Sequence, residues 1–214
     1  MLTSRVLTKV AIVVIFTSLA RPLYAQEIGG IRSVSAMGLE QSEQSANNYM
    51  IDFTNQDTRH LWRVSNDNVM GGISKGAVVL TSKKTRFSGT ISLENSGGFS
   101  AVFHKVDVID ADLTQLSLDI AGDGQRYQVR VIANHRKGSF GEERIHYFHE
   151  FDTQENKRQT LTFNLIDFQA TFRGRKIDNA PALSSEDIEE IGFLFKKNSE
   201  DDFTLDLFSA TFSN

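Results

Sequence analysis

Five histidines, two acidic clusters, an arginine pair and a glycine-rich loop are the parts of this sequence from which chemistry could be built. His146 and His149 bracket Tyr147-Phe148 in the run HYFHE. Two metal ligands on one strand face need an even separation, so a separation of three puts these rings on opposite faces. The run also lacks the H-E-x-x-H order and the helix on which a zinc protease depends. His60, His104 and His135 stand alone, with no serine-glycine elbow to suggest a nucleophilic triad. Glu142-Glu143, beside Gly138 and Gly141, and Glu200-Asp201-Asp202, before Phe203, offer the oxygen ligands calcium takes, but not in the spaced order of an EF-hand loop. Both clusters read first as solvated loop charge. GGISKG, from Gly71 to Gly76, has the look of a phosphate loop, yet Ala77-Val78 follow where Lys-Ser or Lys-Thr is needed, and the continuation is strand-like. No G-x-G-x-x-G follows a strand, which removes a nucleotide cofactor. Arg173-Gly174-Arg175 is different. In an extended segment both guanidinium groups point the same way and could together grip a carboxylate or sulfate, the plainer use being an ion pair with Asp167 or Asp178. With no cysteine there is no thiol nucleophile, thiolate metal site or disulfide. The residues therefore predict no catalytic group, no metal and no cofactor.

The elements that must position these groups are strands. Period-two alternation places Phe99, Ala101 and Phe103 on one face, Leu116, Leu118 and Ile120 on another, and Leu161, Phe163 and Leu165 on a third. Tyr127, Val129, Val131 and Ala133 continue the pattern after Asp123-Gly124, a dipeptide that favours a tight hairpin, so 115–122 and 126–134 are expected to pair. Further strands are expected at Arg144 to Phe151, Glu190 to Phe195 and Phe203 to Phe212. The one helical signal is short: Ser184 as cap, Asp187 at the reciprocal box position and Pro181 upstream. About ten short strands and one short helix predict an all-β, antiparallel β-sandwich, with a closed barrel as the lesser alternative.

The loop 62–74, WRVSNDNVMGGIS, organises the chain around its only tryptophan, with Trp62 expected to end one strand and Ile73 to begin the next. Its simplest role is a glycine loop pinned by a buried indole; its functional role would be contact with a ligand. With its D-x-V-M-G-G-x-S core the stretch resembles the signature of the complex I intermediate-associated protein 30 family. FSGTISLENSGGFSAV from Phe87, AGDGQRY from Ala121, FQATFRGR from Phe168 and IEEIGFLF from Ile188 follow in the family's order, so the resemblance spans roughly 51–212. KKNSEDDF departs from the family's small turn before the last strand, and Ala170 stands where the family often has proline. The resemblance implies a galactose-binding-like jelly roll, as in many carbohydrate-binding modules, and a role in assembling respiratory complex I. Trp62, Asp67, Asn68, Met70, Gly71, Gly72, Ser74, Arg126, Tyr127, Arg173 and Arg175, on its motifs, are the candidate partner- or ligand-binding residues.

The first 25 residues have the form of a secretory signal: basic Arg5 and Lys9, an apolar block from Val10 to Ala20, and Leu23-Tyr24-Ala25 before a cleavage site expected ahead of Gln26. The apolar block is shorter than the roughly 20 residues a spanning helix needs, so no membrane span is expected after cleavage. A mitochondrial presequence is the competing reading. Residues 26–48, rich in Ser, Gly, Gln and Glu, read as a flexible tether, leaving 49–214 as the domain. Sixteen phenylalanines among 214 residues predict a Phe-rich core. The net charge of −4, more negative once the leader's Arg5, Lys9 and Arg21 are gone, argues against nucleic acid as a partner. The expected function is a non-catalytic binding or assembly module, exported to the periplasm or beyond, that holds a protein partner. A glycan-binding jelly roll is the alternative, with a mitochondrial assembly factor or an unrecognised hydrolase behind it.

Overall fold

The computed structural model describes residues 48–109, 112–136, 142–172 and 175–214. Among these residues thirteen strands fall into two antiparallel sheets. One has the order β3 (Lys75–Leu80), β4 (Thr85–Ile91), β13 (Asp201–Ser213), β6 (Gln115–Gly122), β9 (Arg158–Asn164). β1 (Tyr49–Asp52) pairs with residues 209–212 of β13, the stretch beyond the 201–207 that β4 covers. The other sheet has the order β11 (Arg175–Lys176), β10 (Gln169–Phe172), β8 (Glu142–Asp152), β7 (Arg126–Arg136), β12 (Ile188–Lys196), β5 (Phe99–Lys105), β2 (Trp62–Asn66). Consecutive strands repeatedly change sheet, the connectivity of a sandwich rather than a barrel.

The core lies between the sheets and is phenylalanine-rich, as expected. Leu116, Leu118 and Ile120 of β6 and Tyr127, Val129, Val131 and Ala133 of β7 are all buried in it. A run of rings links the layers: Phe87 to Phe203 at 4.8 Å, Phe203 to Phe195 at 4.8 Å and Phe195 to Tyr127 at 5.0 Å between centroids. Such pairs add specific geometry to the burial of large apolar area.

Four local expectations are corrected. β6 and β7 are not a hairpin: they lie in different sheets, β6 between β13 and β9, and β7 between β8 and β12. Asp123-Gly124 is the corner between the layers, with Gly124 at φ +87°. The Asp123 carboxylate accepts from Gln125 N (3.1 Å), Tyr127 Oη (2.9 Å) and Thr204 N (2.7 Å), so it ties the corner to β13 instead of closing a two-strand turn. Trp62 begins β2 rather than ending a strand, because a 3-10 turn occupies Gln56–Leu61, and the next strand starts at Lys75, not Ile73. The Ser184 helix is a 3-10 turn, Ser185–Asp187, without a side-chain cap; Asp187 faces His135 Nδ1 at 2.8 Å instead. Glu142-Glu143 opens β8 and is not in a loop. No helix among the described residues is long and apolar enough to cross a membrane.

Candidate functional site

β5 carries apolar side chains on both faces, and that decides where a site can form. Val102 and His104 point into the main core, whereas Phe99, Ala101 and Phe103 point outward and gather with Ile132 and Leu194 on the outer face of the seven-stranded sheet. There they floor a groove of about 990 Å³. Register places Arg63, Phe103, Gly192, Arg130 and Phe148 opposite one another on five adjacent strands. Four strand spacings make that row about 19 Å long. At its centre Gly192 leaves room for the Phe103 ring: a Cβ there would lie 2.4 Å from Phe103 Cδ1 and 2.5 Å from the Val102 carbonyl oxygen.

The walls are polar and basic. Arg63, Arg130, Arg144, Lys196 and Lys197 line the groove, and no acidic side chain does among the described residues. The acids sit just outside and neutralise most of these cations. A bulge between Ile188 and Glu190 in β12 lets Glu189 and Glu190 both be reached by Arg144, whose Nε is 2.8 Å from Glu189 Oε2 and whose Nη2 donates to Glu190 Oε1 at 2.8 Å. Arg63 donates to Glu190 Oε2 from Nε at 2.8 Å while its guanidinium lies 4.1 Å from the Phe103 ring centroid. Lys196 is 3.8 Å from Glu150, and Lys197 pairs with Asp201. Arg130 alone among the five has no acidic partner among the described residues. Its Nε and Nη2 donate to Gln128 Oε1 (3.2 and 2.9 Å), an amide itself fixed by donation to Glu150 Oε1 at 2.9 Å. Burial lowers the Arg130 pKa from its ordinary value. Burial likewise lowers that of His146, with the charges of Arg130, Arg144 and Arg63 adding to the effect against Glu190. The groove is a cationic field on an acidic chain.

The signature loop is a clasp at one end of this groove. Asp67 is fully buried and accepts from Ser74 N (3.0 Å), Ser74 Oγ (2.5 Å), Gly98 N (2.7 Å) and Phe99 N (3.3 Å). Burial alone would push its carboxyl up, but these hydrogen bonds outweigh it and hold the pKa below the ordinary value. Gly71 ends the turn Asp67–Met70 at φ +93°, and Gly72 passes so close that a Cβ would be 2.5 Å from Asp67 Oδ1. The product of this clasp is an exposed apex: Val69 and Met70, 75% and 67% exposed, stand on the groove rim. Phe172 of β10, 60% exposed, is also part of the lining.

Of the residues singled out by sequence, Met70 lines the groove, and Asp67, Gly71, Gly72 and Ser74 build the turn that presents it. Asn68 is exposed within that turn. Trp62 does not reach the groove: its ring lies against Phe53 at 5.3 Å and His104 at 4.8 Å, facing the core. Tyr127 is buried, and Arg126 pairs across strands with Asp152 at 2.8 Å. Arg175 is exposed in β11; Arg173 lies outside the described residues, so the arginine grip is not described. His146 faces the groove and His149 the Phe163 and Phe168 rings, on opposite faces as the odd separation requires. His135 joins Asp187 and Tyr147 in an Asp-His-hydroxyl series, but Tyr147 is buried and donates to the Pro181 carbonyl, making the series a strut of the core. No group of three or more His, Asp or Glu that could hold a metal occurs among the described residues. Val69, Phe103, Arg130 and Phe148 were not singled out from sequence. The available signal was the alternation of β5, whose apolar residues occupy both faces and so cannot all be core.

Three comparisons bear on identity. The family 11 carbohydrate-binding module of Clostridium thermocellum, solved with a β-1,3-1,4-mixed-linked tetrasaccharide, superposes with a TM-score of 0.57 at 16% identity, over 79% of this chain and 97% of that one. The same kind of module from the cellulosomal cellulase Lic26A-Cel5E of that organism gives 0.57 at 15% identity, over 79% and 96%. An agarase, AgWH50C, gives 0.51 at 12%, over 78% of this chain and 25% of the agarase. At these identities the likeness is one of fold. No curated protein matches the sequence. The profile of complex I intermediate-associated protein 30 matches residues 51–207, a span that holds the clasp, the corner and strands β2 to β12 entire. The chain is a β-sandwich member of the complex I intermediate-associated protein 30 family.

Proposed function

We propose that this chain is a non-catalytic binding module, exported through its leader, that holds an oligosaccharide in the groove of the seven-stranded sheet. The observation that carries the reading is the composition of the groove: an apolar floor of Phe103 and Leu194, flanked by Phe148 and by amide and guanidinium donors from Gln128 and Arg130. Sugar sites use that combination, apolar rings against the sugar faces and fixed polar groups for the hydroxyls. The fold shared with modules that bind polysaccharide supports the same reading. Phe148→Ala, which removes one wall of the groove, is expected to weaken binding about tenfold, roughly 1.4 kcal/mol. A glycan array followed by calorimetry on the best ligand tests this; equal affinity of variant and wild type would remove the groove from the account. Export has its own test: mass spectrometry of the chain from its native cell is expected to find Gln26 first, and an intact Met1 terminus would contradict it.

A protein partner is the second reading, and one observation favours it. Val69, Met70 and Phe172 expose large apolar groups among the groove-lining residues, as protein-binding surfaces do. In that case the glycan array would be empty, and cross-linking from the groove would recover a polypeptide.

A further inference from the structure

The oligosaccharide reading leaves open what kind of sugar the groove selects, and the charge arrangement bears on it. Among the described residues five cations and no acid line the groove, on a chain whose net charge is −4. A neutral glycan would gain hydrogen bonds from these donors but nothing from their charge. Surface cations that are already paired offer little to a newcomer, because their acids hold them, and Arg63, Arg144, Lys196 and Lys197 are of that kind. Arg130 is not. Its Nε and Nη2 share a neutral amide oxygen, Gln128 Oε1, and its Nη1 meets no acceptor among the described residues. The guanidinium carbon lies 5.7 Å from the centroid of Phe148, so the charge and the apolar wall are side by side. A partly desolvated guanidinium without a counter-ion is costly to keep, and an arriving anion repays that cost. Guanidinium is also the group that matches carboxylate and sulfate with two parallel hydrogen bonds.

We infer that the groove selects an acidic oligosaccharide, and that Arg130 reads its carboxylate or sulfate while the Phe148 ring beside it packs against the sugar. The inference rests on the oligosaccharide reading of the same groove and adds the charge class of the ligand. Arg63 and Arg144, already held to Glu190, leave Arg130 as the direct contact. No bond is made or broken, so the event is recognition alone.

The test is calorimetry of the full domain with three probes: an oligouronate, a sulfated galactan oligomer and a neutral mixed-linkage glucan oligomer, each at low and moderate salt. The expected result is that one of the acidic probes binds at least tenfold more tightly than the neutral one and weakens as salt rises. Arg130→Gln is expected to lose that preference, with at least a tenfold fall for the acidic probe and a clearly smaller fall for the neutral one, which loses hydroxyl hydrogen bonds but no charge pairing. Arg130→Lys keeps the charge without the planar fork and is expected to fall between. Thermal melts of each variant separate loss of contact from loss of fold. Which acidic probe responds distinguishes carboxylate from sulfate. A neutral probe that binds as tightly as the acidic ones, or acidic binding untouched by Arg130→Gln in a folded variant, overturns the inference while leaving the groove as a glycan site. Binding of none of the three overturns the inference and the glycan reading together.

Discussion

Asp67→Ala is expected to cost about 3–4 kcal/mol of folding stability, because it deletes a buried carboxylate on which four donors converge and strips three backbone N–H groups, of Ser74, Gly98 and Phe99, of this acceptor. Urea unfolding measures it. The same carboxylate links two loops that share no strand pairing of their own, 66–74 and 92–99, since Ser74 Oγ also accepts from Ser92 N at 3.0 Å. Its loss should therefore free the Val69-Met70 apex and weaken groove binding as well as stability. The sign with pH follows from the hydrogen bonds. They hold the folded pKa of Asp67 below its ordinary value, so its contribution is complete above that value and is lost as pH falls through the folded one, which places the loss below about pH 4. Asp67→Asn removes that part of the acid limb, and the gap between wild type and variant is expected to close as pH falls below 4. A variant within about 1 kcal/mol of wild type at neutral pH would show that the clasp is not held by Asp67.

The clasp also shows what was legible in the sequence. A turn with paired glycines could be read from DNVMGGIS, because Gly71 needs a positive φ and Gly72 a close approach, and both requirements belong to residue type. Most strands were legible for a similar reason: alternation in β6 and β7 reflects a half-buried face. Strand partners were not. Asp123-Gly124 announces a change of direction but not whether the chain turns back along its own sheet or crosses to the other, and here the four hydrogen bonds that Asp123 accepts send it across. The site was less legible still. Arg130 is one of 23 basic residues, and nothing in its sequence neighbourhood distinguishes it from Arg63 or Arg144. The distinction arises from the bulge in β12, which brings Glu189 and Glu190 both within reach of Arg144 and leaves no acid for Arg130. The direction of Trp62 was not legible, because an indole beside a loop is ambiguous until the strand's facing is known; it faces Phe53 and His104.

His104 supplies the second large effect, and it acts over a different pH range from Asp67. It is 3% exposed, stacked edge-on against Trp62 and Phe53, and neither ring nitrogen makes a well-formed hydrogen bond. Burial pulls its pKa down to about 4, with the Lys105 backbone and the Asp107 charge opposing and His60 adding slightly. In the unfolded chain the ring titrates near 6.5. Below that value the unfolded state takes up a proton that the folded state refuses, so stability is complete above pH 6.5 and declines as pH falls toward 4, by about 3 kcal/mol in total. His104→Phe keeps a ring against Trp62 and Phe53 and removes the proton. At pH 7 the change is expected to be within about 1.5 kcal/mol in either direction, as for other swaps of similar volume. The pH dependence should change far more. Between pH 7 and pH 5 the wild type is expected to lose about 2 kcal/mol relative to the variant. Urea midpoints across that range measure the difference, and parallel pH profiles for the two proteins would mean that His104 charges within the fold. Because Asp67 acts below pH 4 and His104 above it, the two substitutions should flatten separate parts of one stability curve. A double variant is expected to show both changes added, since the two side chains share no partner.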